Sequence, residues 1–298
     1  MIELPIRYVE PVFRPPSEAN SLILPVTDGC SWNRCTFCEM YTAPQKKFRA
    51  RSEDEVLETI RRCSETLGPY VRRVFLADGD AMVLPTRRLV AILDELNAAF
   101  PNLQRVSSYC LPRNLRKKSV AELKWLAERK LTLVYVGAES GDDTVLKRVQ
   151  KGETFATTED ALLKLAEAGI RRSVMFLLGL GGKQLWAQHI AASAALANRT
   201  QPEYLATLVV SFPLGKDRFL AAWPDWEEQD LVGLLKEMRA LLQQLELKQT
   251  IFRSDHASNW LVLKGTLNKD KAKLLQQVEA ALADPAHAPL RPAWARGL

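Results

Sequence analysis

Three cysteines within nine positions, Cys30, Cys35 and Cys38 in the run TDGCSWNRCTFCEMY, constrain this chain more than any other feature. Three thiolates in one short loop can hold three irons of a 4Fe–4S cluster. Such clusters are normally held by four cysteines, so the fourth iron is left for a substrate or cofactor. Phe37, between the second and third cysteines, and Tyr41 just beyond them suit a loop that packs against a flat cofactor. Zinc is the other reading of clustered cysteines in an intracellular protein. It wants four ligands, usually as two close pairs. No second C-x2-C or H-x3-H is present, and Cys63, Cys110, His189, His256 and His287 stand apart from one another.

The chain has 298 residues, 47% hydrophobic and 26% charged, enough for one large core with a modest appendage. No apolar stretch approaches the length of a membrane span, and the proline-studded N-terminal stretch MIELPIRYVEPVFRPPSEAN is not a secretory signal. Five cysteines, three of them together, do not make a disulfide framework, so a reducing, cytoplasmic location is expected. The net charge of +6 is scattered along amphipathic stretches. Nucleic acid would want a concentrated basic stripe with exposed aromatics, and it is not an expected partner.

Short apolar runs alternate with amphipathic helical patterns. Strands are predicted over 22–26, 71–77, 106–109, 131–136, 173–178 and 205–210. Helices are predicted over 52–67, from 86, after Ser119, and over 157–168, 185–197, 227–245 and 268–283. Ser52 with Glu55, and Ser119 with Glu122, have the spacing of capping boxes. Six strands alternating with helices predict an α/β fold with a parallel sheet and right-handed crossovers. Six units are too few for an eight-fold barrel, so the expectation is a partial (β/α)6 TIM-like barrel with a C-terminal helical extension. The expected division is an N-terminal arm over 1–20, the barrel core over 21–212, the extension or cap over 213–285, and a flexible tail over 286–298.

In such folds the site lies at the carboxyl ends of the strands, and the unusual polar clusters fall there. The second strand ends in Asp78, Gly79 and Asp80, which is also a common turn sequence. The third is followed by SSYCLPRN, with Ser107, Tyr109 and Cys110; a free cysteine there is either a hydrogen-atom donor or a small buried residue. Glu139 follows the fourth strand, where a carboxylate can accept both hydroxyls of a ribose or cap the helix starting near Asp142. The fifth strand ends in Leu178, Gly179 and Leu180, without the lysine and hydroxyl of a phosphate-binding loop. His256 and Asn259, among Arg253, Asp255 and Trp260, either close over the mouth of the barrel and read substrate or anchor the last helix. Arg49 and Arg51 face either the cluster or solvent, and Lys147 and Lys151 are expected at the surface.

Taken in order, these segments resemble the radical S-adenosylmethionine (radical SAM) superfamily over nearly all of residues 22–212. The family's usual signature is C-x3-C-x2-C with an aromatic before the last cysteine, whereas here the loop is C-x4-C-x2-C. The run E-S-G…L-K-R…K-G after the fourth strand is similar to subfamilies related to coproporphyrinogen dehydrogenase and the methylthiotransferases. The resemblance implies an enzyme that reductively cleaves S-adenosylmethionine (SAM) at a 4Fe–4S cluster to a 5′-deoxyadenosyl radical, which abstracts hydrogen from a substrate. It implies roles as well: Cys30, Cys35 and Cys38 for iron, Asp78, Gly79 and Asp80 for the methionine amino group, Glu139 for ribose, and Leu178, Gly179 and Leu180 for adenine. Phe37 and Ser107 would lie against the cofactor, with Tyr109, Cys110, His256 and Asn259 nearer the substrate. The extra residue in the first cysteine gap is expected to bulge the loop. No second cysteine cluster points to an auxiliary cluster, and no preceding domain points to cobalamin. A small molecule or peptide is the expected substrate, and a one-electron donor such as flavodoxin or ferredoxin the expected partner, its acidic surface suiting a mildly basic face. The alternative is a non-catalytic iron–sulfur or zinc-binding protein on the same fold.

Overall fold

The computed structural model describes residues 5–297; the start of the expected N-terminal arm (1–4) and the end of the expected tail (298) lie outside the described residues. The chain runs β1 (Leu22–Pro25), β2 (Thr27–Asp28), β3 (Arg49–Ala50), α1 (Glu53–Leu67), β4 (Arg73–Ala77), α2 (Thr86–Ala99) and β5 (Arg105–Tyr109). It continues α3 (Val120–Glu128), β6 (Leu131–Glu139), α4 (Asp143–Arg148), α5 (Phe155–Glu167), β7 (Arg171–Leu178), α6 (Gly182–Thr200) and β8 (Tyr204–Val209). Last come α7 (Asp217–Ala222), α8 (Leu231–Gln244), β9 (Ile251–Ser254), β10 (Leu263–Thr266) and α9 (Lys271–Ala283). Eight strands order as β1-β4-β5-β6-β7-β8-β9-β10, with β2 and β3 forming a separate antiparallel pair. The registered neighbours from β1 to β6 and from β7 to β9 are parallel, and only β10 runs against its neighbour. This is the mostly parallel, alternating α/β arrangement of a partial TIM barrel.

The helix ends follow local chemistry. Ser119 accepts from the Glu122 amide while the Glu122 carboxylate accepts from the Ser119 amide, so that capping box closes. At α1 only half of the expected box forms. Ser52 accepts from Glu55 N–H, but the Glu55 side chain turns to Arg49 and Arg51 at 3.5 and 3.6 Å. The helix expected from 227 starts at Leu231 because Asp230 accepts from Gly233 N–H and caps it. The largest difference lies in FRSDHASNWLVLKGTL, expected as a connector, which supplies β9 and β10. Phe252 and Ser254 are buried while Arg253 is exposed, a period of two that four residues are too short to announce.

By contacts the described residues divide into two compact units. One comprises the chain up to Asn33, Met40–Val136 and Leu163–Arg172; the other comprises Arg34–Glu39, Gly137–Leu162 and everything from Ser173 onward. In the first unit, Val74, Phe75, Leu76 and Ala77 are all buried, as expected for a strand covered on both faces. Phe75, Tyr109 and Tyr135 meet edge to face at 5.2–6.2 Å. Tyr135 donates its hydroxyl to the buried Glu18 carboxylate at 2.6 Å, and Arg105 donates to the same oxygen at 2.7 Å. The arm is thus tied down by a buried, doubly satisfied acid.

In the second unit Val145, Val149, Leu180, Val210, Phe219, Trp223 and Trp226 form a core cluster. The amphipathic helix α8 buries Leu234, Leu235, Met238, Leu241 and Leu242, and with them Glu237. The Glu237 carboxyl accepts from Gly179 N–H at 2.7 Å and from the Gln229 side-chain amide at 3.1 Å. Burial pushes it from 4.5 up to about 7 against the lowering effect of those bonds. The folded state therefore favours the proton, and stability present below about pH 4.5 is lost as the pH rises through about 7. Replacing Glu237 with Gln should remove this dependence: relative to the variant, the natural chain should lose up to about 3 kcal/mol between pH 4.5 and 8. Urea unfolding of both proteins across that range checks it, and parallel pH profiles would refute it.

Candidate functional site

The candidate residues fall into two sets, one in each unit. In the first, the loop entering Cys30 is built on buried carboxylates. Gly29 has φ +68°, and a Cβ on it would lie 2.3 Å from the Lys46 carbonyl oxygen, so the position takes only glycine. Its amide donates to Asp78 Oδ2 at 3.1 Å, and the fully buried Lys46 ammonium binds the same oxygen at 2.6 Å. Gly79 donates back to the Gly29 carbonyl at 3.0 Å, and a Cβ there would come within 2.9 Å of the Cys30 backbone. Asp80 accepts from Ser31 N–H at 2.9 Å, from the Ser31 hydroxyl, and from Asn114 Nδ2 at 3.2 Å. The D-G-D turn is therefore the seat of the first cysteine. Burial raises both acids above the usual carboxylate range, against the lowering effect of their partners. Asp78 Oδ1 remains buried and accepts nothing.

The longer cysteine gap is accommodated by three anchors. Ser31 is held by Asp80, the Trp32 ring lies 3.6 Å from the Arg113 guanidinium, and Asn33 turns left-handed at φ 40° and donates to the Tyr41 carbonyl at 2.8 Å. Arg49, which faces solvent as one of the two alternatives had it, and Arg51, which is buried, each form a two-pronged contact with the buried Asp28 carboxylate at 2.8–3.1 Å. Ser107 is buried, and its hydroxyl reaches toward the Val74 carbonyl at 3.5 Å. Tyr109 belongs to the aromatic trio, and the buried Cys110 thiol donates to the Leu111 carbonyl at 3.4 Å.

In the second unit, the loop segment carrying Cys35 and Cys38 is zipped to the end of α4, where the Thr36 amide donates to the Val149 carbonyl at 3.0 Å. Phe37 packs on the aromatic cluster of α7. Arg218 of α7 donates to the carbonyl oxygens of Cys38, at 2.9 Å, and of Cys35, and Leu214 N–H donates to Glu39 at 3.0 Å. Lys151, expected at the surface, is buried. Its ammonium binds Glu139 Oε1 at 2.9 Å, with side-chain exposures of 5% and 13%. Burial works to lower its pKa, but Glu139 and the sulfurs of Cys35 and Cys38 together raise it, so the lysine stays charged. Lys147 is exposed as expected.

Glu139 reaches this position through an unusual backbone. It sits at φ 65°, and its carboxylate folds back over Gly137, where a Cβ would lie 2.1 Å from Oε1. The capping alternative is excluded, since Asp142 caps α4 by accepting from Val145 N–H at 2.9 Å. After β7, Gly179 is left-handed at φ 80° and held by Glu237, while Trp226 Nε1 donates to the Leu180 carbonyl at 3.3 Å. His256 and Asn259 serve the β9–β10 turn: His256 Nδ1 bonds Ser258, Asn259 Nδ2 donates to the Thr207 carbonyl at 2.8 Å, and Arg291 donates to both their carbonyls.

Cys30, Cys35 and Cys38 are half-buried and form no disulfide. Among the described residues, no three His, Cys, Asp or Glu side chains gather for a lone metal ion. A cubane places its cysteines on separate irons, so its ligands need not meet at one point. Half-buried thiols in one loop fit a cluster held through sulfur. Sequence reasoning missed Lys46, Arg113, Arg218 and Glu237. A lone charge in an amphipathic stretch carries no sign of the partner that folding brings to it.

The Radical SAM superfamily model matches residues 24–192, more than half of the chain. The chain is similar to 4′-phospho-dehydrooxetanocin synthase of Priestia megaterium, 26% identical over 176 residues, which are 53% of this chain and 23% of that protein. Its fold is similar to that of coproporphyrinogen III oxidase (HemN) from Escherichia coli, described as a radical SAM enzyme. The TM-score there is 0.56 at 16% identity, over 75% of this chain and 52% of that one. It is similar also to the cobalamin-dependent SAM radical enzyme OxsB, with TM-score 0.52 at 16% identity, over 87% of this chain and 35% of that one. The fold thus defines an α/β protein of the partial-barrel type. The chain belongs to the radical SAM superfamily, which uses a 4Fe–4S cluster and SAM.

Replacing Lys151 with Met leaves Glu139 buried without its cation, which should cost about 3 kcal/mol. The double variant Lys151→Met, Glu139→Gln should lose clearly less than the sum of the single losses. Denaturant unfolding of the four proteins checks this; additive losses would show that the pair is not coupled.

Proposed function

We propose that Cys30, Cys35 and Cys38 hold one 4Fe–4S cluster and that the chain is a radical SAM enzyme acting on a small molecule or peptide. The observation that carries this reading is the buried Lys151, paired with Glu139 at 2.9 Å and subject to the electrostatic influence of Cys35 and Cys38. It ties the residues suited to a cluster to the residue suited to a ribose. When bound, the cluster supplies the electron that splits SAM into methionine and a 5′-deoxyadenosyl radical, which then takes hydrogen from the substrate.

The protein's own part is to bind, orient and exclude water. Asp78 Oδ1, buried and unpartnered, is the acceptor for the methionine amino group, while Oδ2 and the Asp80 carboxylate keep the loop in place. A carboxylate offers about four acceptor sites, so Glu139 can hold Lys151 and still receive ribose hydroxyls. The backbone of Leu178, Gly179 and Leu180 lies along adenine. Ser107 and Tyr109, two apart on β5, present one face of the strand to the cofactor or substrate. Phe37 backs the cysteine loop and helps to exclude water. A one-electron donor of the flavodoxin or ferredoxin kind supplies the reductant.

The test is anaerobic. The reconstituted, reduced protein should give an electron paramagnetic resonance signal that shifts on adding SAM, together with 5′-deoxyadenosine detected by chromatography. Cys35→Ala should lose the cluster, and Glu139→Ala should keep it while binding SAM about tenfold more weakly, as expected when a charged hydrogen-bond acceptor is removed. A colourless protein that takes up zinc instead would overturn the reading.

A further inference from the structure

His189 of α6 is wholly buried, and the reading above gives it no part. Its Nε2 lies 3.0 Å from the Leu177 carbonyl, which can only accept, so Nε2 carries the proton. Nδ1 must then accept from the Ser140 hydroxyl at 2.8 Å, and that hydroxyl in turn accepts from Asp142 N–H at 2.9 Å. One arrangement of protons satisfies every group. Burial pushes the imidazole down to about 4, so the ring is neutral at ordinary pH.

Two further bonds join α6 to the same turn. Gln188 donates to Asp142 Oδ1 at 3.1 Å, and Ser193 accepts from Gly141 N–H at 2.9 Å while donating to the His189 carbonyl at 2.7 Å. The approach is so close that a Cβ on Gly141 would lie 2.2 Å from the Ala192 carbonyl oxygen. Ser140, Gly141 and Asp142 directly follow Glu139. The same helix starts at Gly182, two residues beyond Leu180, and its histidine holds the carbonyl of Leu177, just before Leu178. A single rigid element thus grips both segments.

We propose that His189 is a positioning residue that pins the ribose segment to the adenine segment, so that this unit holds the nucleoside half of SAM without help from the cluster. The proposal rests on the roles given above to Glu139 and to Leu178, Gly179 and Leu180. A neutral imidazole suits the task because it offers one donor and one acceptor at opposite ends of a stiff ring. Leucine in its place leaves the Leu177 carbonyl and the Ser140 hydroxyl buried and unpaired, and the two segments are no longer held in register.

The test uses the full chain, freed of iron by chelation, and S-adenosylhomocysteine as probe, with binding read by calorimetry. The natural protein should bind; His189→Leu should bind about tenfold more weakly, the size expected for a broken buried hydrogen-bond network; and His189→Gln, which keeps a donor and an acceptor, should recover most of the loss. Iron content after reconstitution should be equal in all three. Nitrogen-15 resonance of the natural protein should show the proton on Nε2, a readout that needs no variant to fold. A folded His189→Leu that binds as the natural protein does, or a proton on Nδ1, would overturn the proposal. So would an iron-free protein that ignores the probe while the loaded protein binds SAM. If neither form binds SAM or the probe, the functional reading falls and takes this proposal with it.

Discussion

Burying a lysine ammonium costs free energy that a negative group at short range can offset, and at Lys151 this is the Glu139 carboxylate at 2.9 Å, with Cys35 and Cys38 acting in the same direction. Much of the second unit is arranged to keep that group in place. Gly137 has no side chain because the Glu139 carboxylate occupies the space where a Cβ would be. Glu139 accepts a left-handed backbone, which costs of order 1 kcal/mol for a residue other than glycine, and the ion pair opposes that cost. The short helix α4 leads to Lys151, and Val149 just past its end accepts from the amide of Thr36, between the two cysteines. In the function proposed above, a cluster with thiolate ligands would carry negative charge, and the same cation would offset it.

The first unit solves a related problem with the signs reversed. Asp78 and Asp80 are carboxylates in an apolar strand end, and each is kept there by donors from the loop that leads to the cysteines. The strand end and the loop are therefore one structure. Gly79 is needed because the Cys30 backbone passes within contact distance of it. The unmatched oxygen of Asp78 stands out against this background of satisfied groups. A buried acceptor without a partner costs about 1–3 kcal/mol, and a ligand bearing an ammonium would relieve it.

Much of this was legible in the sequence because it is carried by local pattern. The first six strands of the main sheet stand where apolar runs lie between helical patterns, and Ser119 and Glu122 cap α3 as their spacing predicts. Glu139 stood out because a carboxylate directly after a buried strand is unusual. What stayed hidden depends on partners far apart in the chain. Lys151 reads as one more solvated lysine until folding brings it to Glu139 and the cysteines. Arg218 lies 180 residues from the carbonyl it binds, on a six-residue helix too short to show a period. Strands β9 and β10 escaped for the same reason, each having only four residues.

The two turns assigned to the nucleoside share a further property: each is held from a helix as well as by its own bonds. Gly179 is fixed from α8 by Glu237, and Ser140 to Asp142 are fixed from α6 by Gln188, His189 and Ser193. Gln229 extends this frame by donating to the Glu237 carboxyl. Turns that follow strands are short, and on their own they would sample many conformations at little cost. Supporting them from helices places the ordering cost on elements already made rigid by packing. A turn held in this way can keep an unusual backbone, as at Glu139 with φ 65°, because side chains from elsewhere in the unit set its conformation. A substitution in α6 or α8 therefore acts on the site through geometry, and its effect is felt at the backbone of the turns before it reaches any bound group.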